Sequence, residues 1–368
     1  MKNISKLTAI TMSLPFKYEK GFMEIDVPKA EQALKDAYES GVRNFTSAPQ
    51  YLMGKSEEFV GNTLKDVRKE ITLSTVFPYF DPTLPKENPL LYSLERSLKA
   101  FQTDYIDCLY LYGDCLAEEH LKDAKKAKEM GKARHIGIVF KPYNLHTAKE
   151  VLGKTAPIID TIMAYFVPTI PNQLEMYAEL KKNGLRIVAA GLLDVGSDSL
   201  PSNMLDTTEG MGDISATEVA ARYFLKQDFF DEIIFVLKDK EHLDLLQKCE
   251  NTIDKYSTLQ LQSFFQNVEF LPDHPQIICS GCGYCTPCPK GINITKLFNI
   301  YAYYTYYGML DSAIYAFYNY QNQLGDRIEN LCVSCGMCEK KCLHRVPIMS
   351  KIRELEQFMD RVSVKTAL

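Results

Sequence analysis

Short apolar segments alternate with longer amphipathic segments along roughly the first 250 residues. Continuous apolar runs are typical of buried strands, whereas apolar positions three and four apart are typical of helices that pack one face on a core. The pattern predicts eight strands, at Leu7–Met12, Val42–Thr46, Ile71–Val76, Ile106–Leu111, Ala133–Val139, Ile158–Tyr165, Arg186–Ala190 and Glu232–Leu237. It predicts helices between them, at Pro28–Glu39, Ser56–Lys69, Pro89–Phe101, Glu118–Met130, Asn144–Leu152, Gln173–Asn183, Ala216–Lys226 and Glu241–Cys249. Eight such alternations favour an α/β fold of the (β/α)8 TIM barrel type.

The alternation stops after about residue 250, where the pattern becomes purely helical. Helical periodicity is found at Leu259–Val268, at Ile292–Leu324 and at Ile348–Arg361. We therefore predict two domains: a barrel over residues 1–255 and a small helical domain over residues 256–368. An open doubly wound sheet is less favoured, because it calls for a glycine-rich first turn and Met12-Ser-Leu-Pro15 supplies none.

Eight of the eleven cysteines lie in two runs within the predicted helical domain. The runs are Cys279, Cys282, Cys285 and Cys288, and then Cys332, Cys335, Cys338 and Cys342. In two-cluster ferredoxins three closely spaced thiolates bind one 4Fe-4S cluster, and the fourth ligates the other cluster. The expected ligand sets are therefore Cys279, Cys282, Cys285 and Cys342 for one cluster, and Cys332, Cys335, Cys338 and Cys288 for the other.

Zinc and disulfides are the alternatives for these cysteines. Paired cysteines with two residues between them also build zinc sites, and eight thiols would suffice for two such sites. Runs of four cysteines and the Cys288-Pro289 step are typical of iron–sulfur proteins, and a zinc site needs neither. The sequence departs from the bacterial pattern in two places: the first run closes after two residues instead of three, and Leu343 replaces the second proline.

Composition narrows the possible partners. The chain is 46% hydrophobic and 24% charged, with a formal net charge of −5, which argues against nucleic acid because that partner calls for a basic face. No apolar run approaches the length of a membrane span. Reduced cysteines and iron–sulfur ligands predict a cytoplasmic protein.

The first domain resembles the aldo/keto reductase family. The resemblance is carried by Gly41-Val-Arg-Asn-Phe-Thr-Ser-Ala-Pro-Gln-Tyr51, Gly54-Lys-Ser-Glu57, Thr103-Asp-Tyr-Ile-Asp107 and Gly131-Lys-Ala-Arg-His-Ile-Gly137. The cysteine-rich tail is similar to that of one branch of this family, which carries two 4Fe-4S clusters in a ferredoxin-like domain. The resemblance implies a barrel whose site lies at the C-terminal ends of the strands.

The family's catalytic residues are an Asp, a Tyr, a Lys and a His, and only the Tyr is retained, as Tyr51. The Asp position holds Thr46, the Lys position Val76 and the His position Tyr112. Tyr51 and Tyr112 are the catalytic candidates that remain. The usual reduction is not expected, because the tyrosine lacks the lysine that makes it an effective general acid.

The family's nicotinamide-binding residues are also replaced. The Ser-Asn pair after the fifth strand is Val139-Phe140, and two polar residues near the sixth strand are Met163 and Phe166. NAD(P)H is implied by the family, but these replacements argue against it.

Three functions follow from these patterns. The first is an iron–sulfur oxidoreductase that exchanges electrons between an external redox partner and a small-molecule substrate or cofactor at the barrel's C-terminal face. The second is a non-catalytic electron-transfer protein whose barrel is inactive. The third is an NADPH-dependent carbonyl reductase with a rearranged site.

Overall fold

The computed structural model places the described chain in two compact units. The described residues are 5–19, 22–78, 81, 83–113, 116–140, 152–153, 158–165, 173–193, 214, 216–237, 239–261, 285–305, 310–342 and 345–366. The first unit ends at Leu261, and the second contains the described residues from Cys285 onwards. The domain boundary after residue 255 stays a prediction.

Ten strands lie within the described residues of the first unit, and eight of them form a closed barrel. They are β1 (Leu7–Ile10), β2 (Phe16–Glu19), β3 (Phe22–Ile25), β4 (Asn44–Thr46), β5 (Thr72–Val76), β6 (Ile106–Tyr112), β7 (Ala133–Phe140), β8 (Thr161–Tyr165), β9 (Arg186–Leu193) and β10 (Glu232–Val236). β1 pairs in parallel with both β4 and β10, which closes the sheet. The predicted (β/α)8 barrel is confirmed, with all eight predicted strands in place.

The apolar content of these strands follows from their position. All four residues of β1 and the first six of β6 are buried. Strands of a parallel barrel are covered on both faces, by the barrel interior and by the outer helices, so burial along β1 and β6 is nearly continuous instead of alternating. Tyr112, at the end of β6, is only half-buried.

Seven helices of the first unit lie within the described residues. They are α1 (Val27–Glu39), α2 (Ser56–Leu64), α3 (Pro89–Phe101), α4 (Glu118–Glu129), α5 (Gln173–Lys182), α6 (Ala216–Leu225) and α7 (Lys240–Asn251). The helix predicted over Ser56–Lys69 is divided, because α2 ends at Leu64 and 3-10 turns continue through Lys65–Glu70. The helix predicted over Asn144–Leu152 lies outside the described residues except for Leu152.

A β-hairpin follows β1, and the sequence pattern did not predict it. β2 and β3 pair antiparallel, with Phe16 opposite Ile25. Because the hairpin follows a barrel strand directly, it belongs to the C-terminal side of the barrel, where sites are found in this fold. The Glu24 carboxylate lies 2.5 Å from the Lys55 ammonium, and this ion pair ties the hairpin to the segment that follows Tyr51.

We expect the replacement Gly61→Ala to destabilise the barrel. A Cβ at Gly61 in α2 would lie 2.6 Å from the Cα and the carbonyl oxygen of Phe101, backbone atoms at the end of α3. Overpacking of this kind costs about 1–3 kcal/mol, and the better helix propensity of alanine offsets about 1 kcal/mol of that. A net loss of up to about 2 kcal/mol should appear in urea unfolding followed by circular dichroism. Gly153→Ala is the matched control, since no described atom lies within 4 Å of that added Cβ.

The second unit is helical, as predicted. Its helices are α8 (Ile294–Thr305), α9 (Leu310–Leu324), α10 (Ile328–Leu331), α11 (Met337–Lys341) and α12 (Ile348–Thr366). The pattern over Ile292–Leu324 thus contains two helices instead of one. Buried side chains from four of these helices form one core, which contains Ile294, Leu297, Phe298, Ile300, Tyr301, Phe317, Tyr320, Ile328, Ile348, Ile352, Leu355 and Met359. No helix in the described parts of the chain is long and apolar enough to cross a membrane.

Candidate functional site

Four positions of the family pattern lie at the C-terminal ends of neighbouring strands. Thr46 ends β4, Val76 ends β5 and Tyr112 ends β6, while Tyr51 begins the 3-10 turn that follows β4. Val76 pairs with Tyr110 in the sheet, so these strands run in register without a slip. Parallel barrel strands end at one face, and the four positions therefore surround the same part of that face.

A cluster of hydroxyl groups lies beside Thr46, the position at which the family pattern has a carboxylate. The Thr11 and Ser56 hydroxyl oxygens are 2.8 Å apart, and the Ser47 hydroxyl donates to the Ser56 oxygen at 3.0 Å. The Thr11 hydroxyl is also 3.3 Å from the Thr46 carbonyl oxygen. All four residues are buried. This cluster joins the ends of β1 and β4 to the start of α2 through neutral groups alone.

The backbone directly after Tyr51 is strained. Leu52 and Met53 have φ values of 50° and 57°, in the left-handed region. That conformation costs a residue other than glycine roughly 1–2 kcal/mol, and strain of this kind concentrates at functional sites. The Tyr51 side chain is 9% exposed and Leu52 is buried beneath the turn, whereas Met53 is 64% exposed.

Glu57, at the start of α2, is a buried carboxyl. The sequence pattern identified it only as the last residue of the Gly54-Lys-Ser-Glu57 motif and assigned it no role. It is 4% exposed, and its Oε1 accepts a 2.6 Å hydrogen bond from the Thr75 hydroxyl of β5. Burial raises the pKa of Glu57 to about 7, although hydrogen bonds from Thr75 and Ser97 favour the ionised form. The carboxyl thereby links α2, β5 and α3 beside the strand ends.

The raised pKa of Glu57 predicts a pH dependence of stability. The unfolded chain releases this proton near pH 4.5 and the folded chain only near pH 7. The stabilisation is therefore complete below about pH 4.5 and is lost as the pH rises to about 7. This loss lowers the free energy of unfolding by up to about 3 kcal/mol. In the Glu57→Gln variant this loss is absent, so its free energy of unfolding relative to the wild type should rise by about 2–3 kcal/mol between pH 5 and pH 8.

Urea unfolding at the two pH values measures this difference. Glu58→Gln is the matched control, because its carboxyl is exposed one residue away. Equal pH dependence in the Glu57→Gln variant and the wild type would show that Glu57 is already ionised at pH 5.

The described residues do not fit a nicotinamide carboxamide. Val139 and Phe140 end β7 with 2% and 0% exposure, and neither side chain has a hydrogen-bond donor or acceptor. Phe140 packs so closely over Gly113 that a Cβ there would lie 2.9 Å from its ring. Met163, on β8, is also buried and apolar, while Phe166 lies outside the described residues.

A cavity in the second unit is lined by five of the predicted cluster ligands. These are Cys285, Cys288, Cys332, Cys335 and Cys338. The other lining side chains are mainly apolar, from Pro287, Pro289, Ile292, Ile294, Val333, Met337, Met349 and Ile352. No carboxylate is among the described lining residues. Thiols with apolar walls and no competing acid fit an iron–sulfur cluster.

The remaining cysteines differ in placement. Cys279 and Cys282 lie outside the described residues. Cys342 does not line the cavity in the described structure, and its Sγ accepts a 3.4 Å hydrogen bond from the Val346 backbone N–H. Cys285 lines the cavity, although it was expected to bind the other cluster, with Cys279, Cys282 and Cys342. In the described chain, no three His, Cys, Asp or Glu side chains converge closely enough to hold one metal ion.

The loop over Cys332–Cys338 is shaped by unusual backbone conformations. Ser334 and Gly336 have φ values of 50° and 70°. The Lys340 N–H then donates to the Gly336 carbonyl oxygen at 3.1 Å, which begins α11. These turns bring three cysteines of the second run to one cavity, in agreement with their spacing, in which two residues separate each cysteine from the next.

Two family models match the two parts of the chain. The aldo/keto reductase family model matches residues 11–265, and a 4Fe-4S dicluster domain model matches residues 278–347. The chain therefore belongs to the aldo/keto reductase family and carries a C-terminal 4Fe-4S dicluster domain.

The curated relatives are distant. L-galactose dehydrogenase of Arabidopsis thaliana is 26% identical over 45% of this chain and 56% of its own length. The uncharacterized oxidoreductase YqkF of Bacillus subtilis is 25% identical over 56% of this chain and 77% of its own length. Methylglyoxal reductase DkgA of Salmonella typhimurium is 29% identical over 35% of this chain and 47% of its own length. The chain thus spans about half the length of two of these three relatives.

Solved structures agree on the fold. The aldo-keto reductase AKR11C1 of Bacillus halodurans, in its holo form, superposes with a TM-score of 0.58 at 21% identity over 74% of this chain and 96% of that chain. The thermostable aldo-keto reductase Tm1743 gives a TM-score of 0.60 at 21% identity over 72% and 95%. At this identity the likeness establishes the barrel and leaves its chemistry open.

Proposed function

We propose that this protein is an iron–sulfur oxidoreductase that exchanges electrons between an external carrier and a small molecule at the C-terminal face of its barrel. The observation that carries the proposal is the cavity lined by Cys288, Cys332, Cys335 and Cys338, the set expected to bind one cluster. When bound, 4Fe-4S clusters supply one-electron transfer. The second expected set is Cys279, Cys282, Cys285 and Cys342. Cys342 lies outside the described cavity lining, in line with this division, whereas Cys285 lies within that lining.

In the barrel, Tyr51 and Tyr112 are the side chains proposed to contact the substrate. Tyr112 ends β6, and Tyr51 begins the turn after β4, in which Leu52 and Met53 have the left-handed backbone that often accompanies functional sites. A phenol hydroxyl can donate a hydrogen bond to a carbonyl or accept one from a hydroxyl group. The names of the relatives, a dehydrogenase and reductases, favour small hydroxyl or carbonyl compounds as the substrate class.

The neutral surroundings distinguish this proposal from hydride transfer. Thr46 and Val76 bring no charge to the site, and Val139 and Phe140 offer no hydrogen bond to a carboxamide. The electrons are therefore proposed to come through the second domain instead of from NADPH.

A viologen-linked assay tests the proposal. Protein purified without oxygen is mixed with reduced methyl viologen and a panel of aldehydes, ketones and quinones, and viologen oxidation is followed by absorbance. We expect turnover of at least one class without NADPH. Tyr51→Phe and Tyr112→Phe should lower kcat/KM by roughly 10²-fold or more, as expected when a positioned proton donor is removed. Tyr92→Phe is the matched control, because Tyr92 lies on the outer surface of α3 and is 48% exposed.

The outcomes separate the alternatives. Turnover that needs NADPH and ignores viologen would support a carbonyl reductase with a rearranged site. Reducible clusters with no turnover, and no small molecule retained in native mass spectra, would support an electron-transfer protein with an inactive barrel.

A further inference from the structure

The cysteine-lined cavity opens at the surface of its unit through an apolar edge. Cys335 is exposed, in contrast to the buried Cys285 of the same cavity. Val333 and Met337 flank Cys335 and are 57% and 43% exposed, among the most exposed large apolar side chains of the described chain. Exposed apolar side chains beside a functional group are typical of a surface that a partner covers.

Basic side chains surround this edge. Lys290 lines the cavity and is exposed. Lys340 lies three residues after Met337 in α11, so the two side chains share one side of that helix. Arg353 of α12 is exposed and donates a 2.8 Å hydrogen bond to the Ser334 hydroxyl, which places its charge against the same loop.

These cations are not neutralised locally. Over the described residues, no carboxylate forms an ion pair with Lys290, Lys340 or Arg353. Glu339, the acidic residue of α11, accepts a 2.8 Å hydrogen bond from the Met349 backbone N–H. A basic edge is therefore present on a chain whose formal net charge is −5.

We define the cysteine rim as Lys290, Val333, Cys335, Met337, Lys340 and Arg353. We propose that this rim docks a small acidic electron-carrier protein, an inference that rests on the proposed function. An apolar centre with a charged border is the usual anatomy of a protein interface, and unpaired cations favour a partner of opposite charge. The contact would be small and transient, as in other electron-transfer encounters. One electron passes per encounter, so the carrier is oxidised by one electron as the iron–sulfur site is reduced by one, or the reverse.

Zero-length cross-linking tests the docking directly. A carbodiimide joins lysine amines to carboxylates in contact, and the probe is a purified acidic flavodoxin mixed with the full-length anaerobic protein. Peptide mass spectrometry should find cross-links at Lys290 and Lys340. Calorimetry should show affinity falling at least 10-fold between about 20 and about 500 mM salt, since screening removes steering and attraction.

Charge reversal sharpens the test. The triple variant Lys290→Glu, Lys340→Glu and Arg353→Glu should bind flavodoxin at least 10-fold more weakly at low salt. The matched control reverses three exposed lysines of the barrel, Lys29→Glu, Lys122→Glu and Lys125→Glu, which produces the same change in net charge. Its affinity should stay within about 3-fold of the wild type. Lys290→Gln with Lys340→Gln replaces the triple variant if iron content falls.

Methyl viologen separates this inference from the proposed function. The viologen radical is a cation that the basic rim repels, so the triple variant should be reduced by it at least as fast as the wild type. Weaker flavodoxin binding with intact viologen reduction supports the rim. The docking inference alone is overturned if flavodoxin affinity changes neither with salt concentration nor in the triple variant. It is also overturned if cross-links form only at barrel lysines. Protein whose iron–sulfur site viologen cannot reduce overturns the proposed function, and the inference with it.

Discussion

Replacing Cys332 with alanine should remove about half of the iron. A protein with two 4Fe-4S clusters holds about eight irons and eight sulfides per chain, so the loss of one site leaves about four of each. Cys332 lines the described cavity with Cys288, Cys335 and Cys338, and alanine cannot replace a thiolate. Anaerobic iron and sulfide analysis measures the loss, and electron paramagnetic resonance identifies the signal that remains.

The Cys342→Ala variant should lose the opposite cluster. Cys342 is not among the residues that line the cavity, and the two-cluster pattern pairs it with Cys279, Cys282 and Cys285. The spectra of the Cys332→Ala and Cys342→Ala variants should therefore be complementary. Loss of the same signal from both variants would refute the pairing. Zinc in place of iron in a carefully anaerobic preparation would refute the clusters themselves.

Cys249→Ala supplies the control for both variants. This thiol is buried in α7 of the barrel, and burial raises its pKa to about 11, so it remains protonated at neutral pH. Its replacement should lower stability and leave the iron content near eight. Iron loss from this variant would show that a general loss of folding, and not a missing ligand, lowers the metal content.

Reduction of simple aldehydes with NADPH should be at least about 10²–10⁴-fold slower than in a relative that carries all four catalytic residues. Thr46, Val76 and Tyr112 occupy the three positions that would tune the acid and orient the carbonyl. Poor placement of the hydride donor beside Val139 and Phe140 adds a further penalty. These effects do not multiply, because residues that act as a unit are not additive. The measurements are an anaerobic NADPH oxidation assay and calorimetry of NADPH binding.

Restoring the missing residues should recover little of this activity. The triple replacement is Thr46→Asp, Val76→Lys and Tyr112→His. Thr46 and Val76 are 3% and 5% exposed, so the new charges would enter a buried site built from hydroxyl and apolar groups. The nicotinamide position would still lack a hydrogen-bonding partner. Micromolar NADPH binding and brisk turnover by the wild-type protein would overturn this interpretation and make the protein an ordinary carbonyl reductase.

The sequence predicted the barrel because most of its strands are mainly apolar runs; Asn44–Thr46 and Thr72–Val76, which carry several polar residues, are exceptions. A strand covered on both faces, as Ile106–Tyr112 is, lacks the alternating pattern of a half-exposed strand. Its mainly apolar sequence can be recognised without knowing which strands lie beside it. The hairpin Phe16–Ile25 gave a weaker signal, because it is short and bears polar residues such as Lys17 and Glu24. Lys20-Gly21 between its strands is a turn signal that could have revealed it.

Some features of the candidate site could likewise be predicted from the sequence, and others could not. The cysteines were found from spacing alone, because cluster ligation demands particular residue types at short intervals. The absence of the family's Asp, Lys and His was equally visible in the letters. The hydroxyl cluster of Thr11, Ser47 and Ser56 was not, since it joins two strand ends and a helix that are distant in the chain.

The sequence by itself determined features that depend on residue type and order along the chain. These are the strand–helix order, the helical second domain, the thiols and the missing catalytic charges. The tertiary structure decided the environments. Glu57 has its raised pKa only because folding removes it from water, and Tyr51 is followed by strained backbone only because the surrounding barrel fixes that turn. The exposure of Cys335 beside Lys290 likewise results from loops brought together in space. Burial, strain and charge proximity are properties of pairs of segments, and a linear pattern records only one segment at a time.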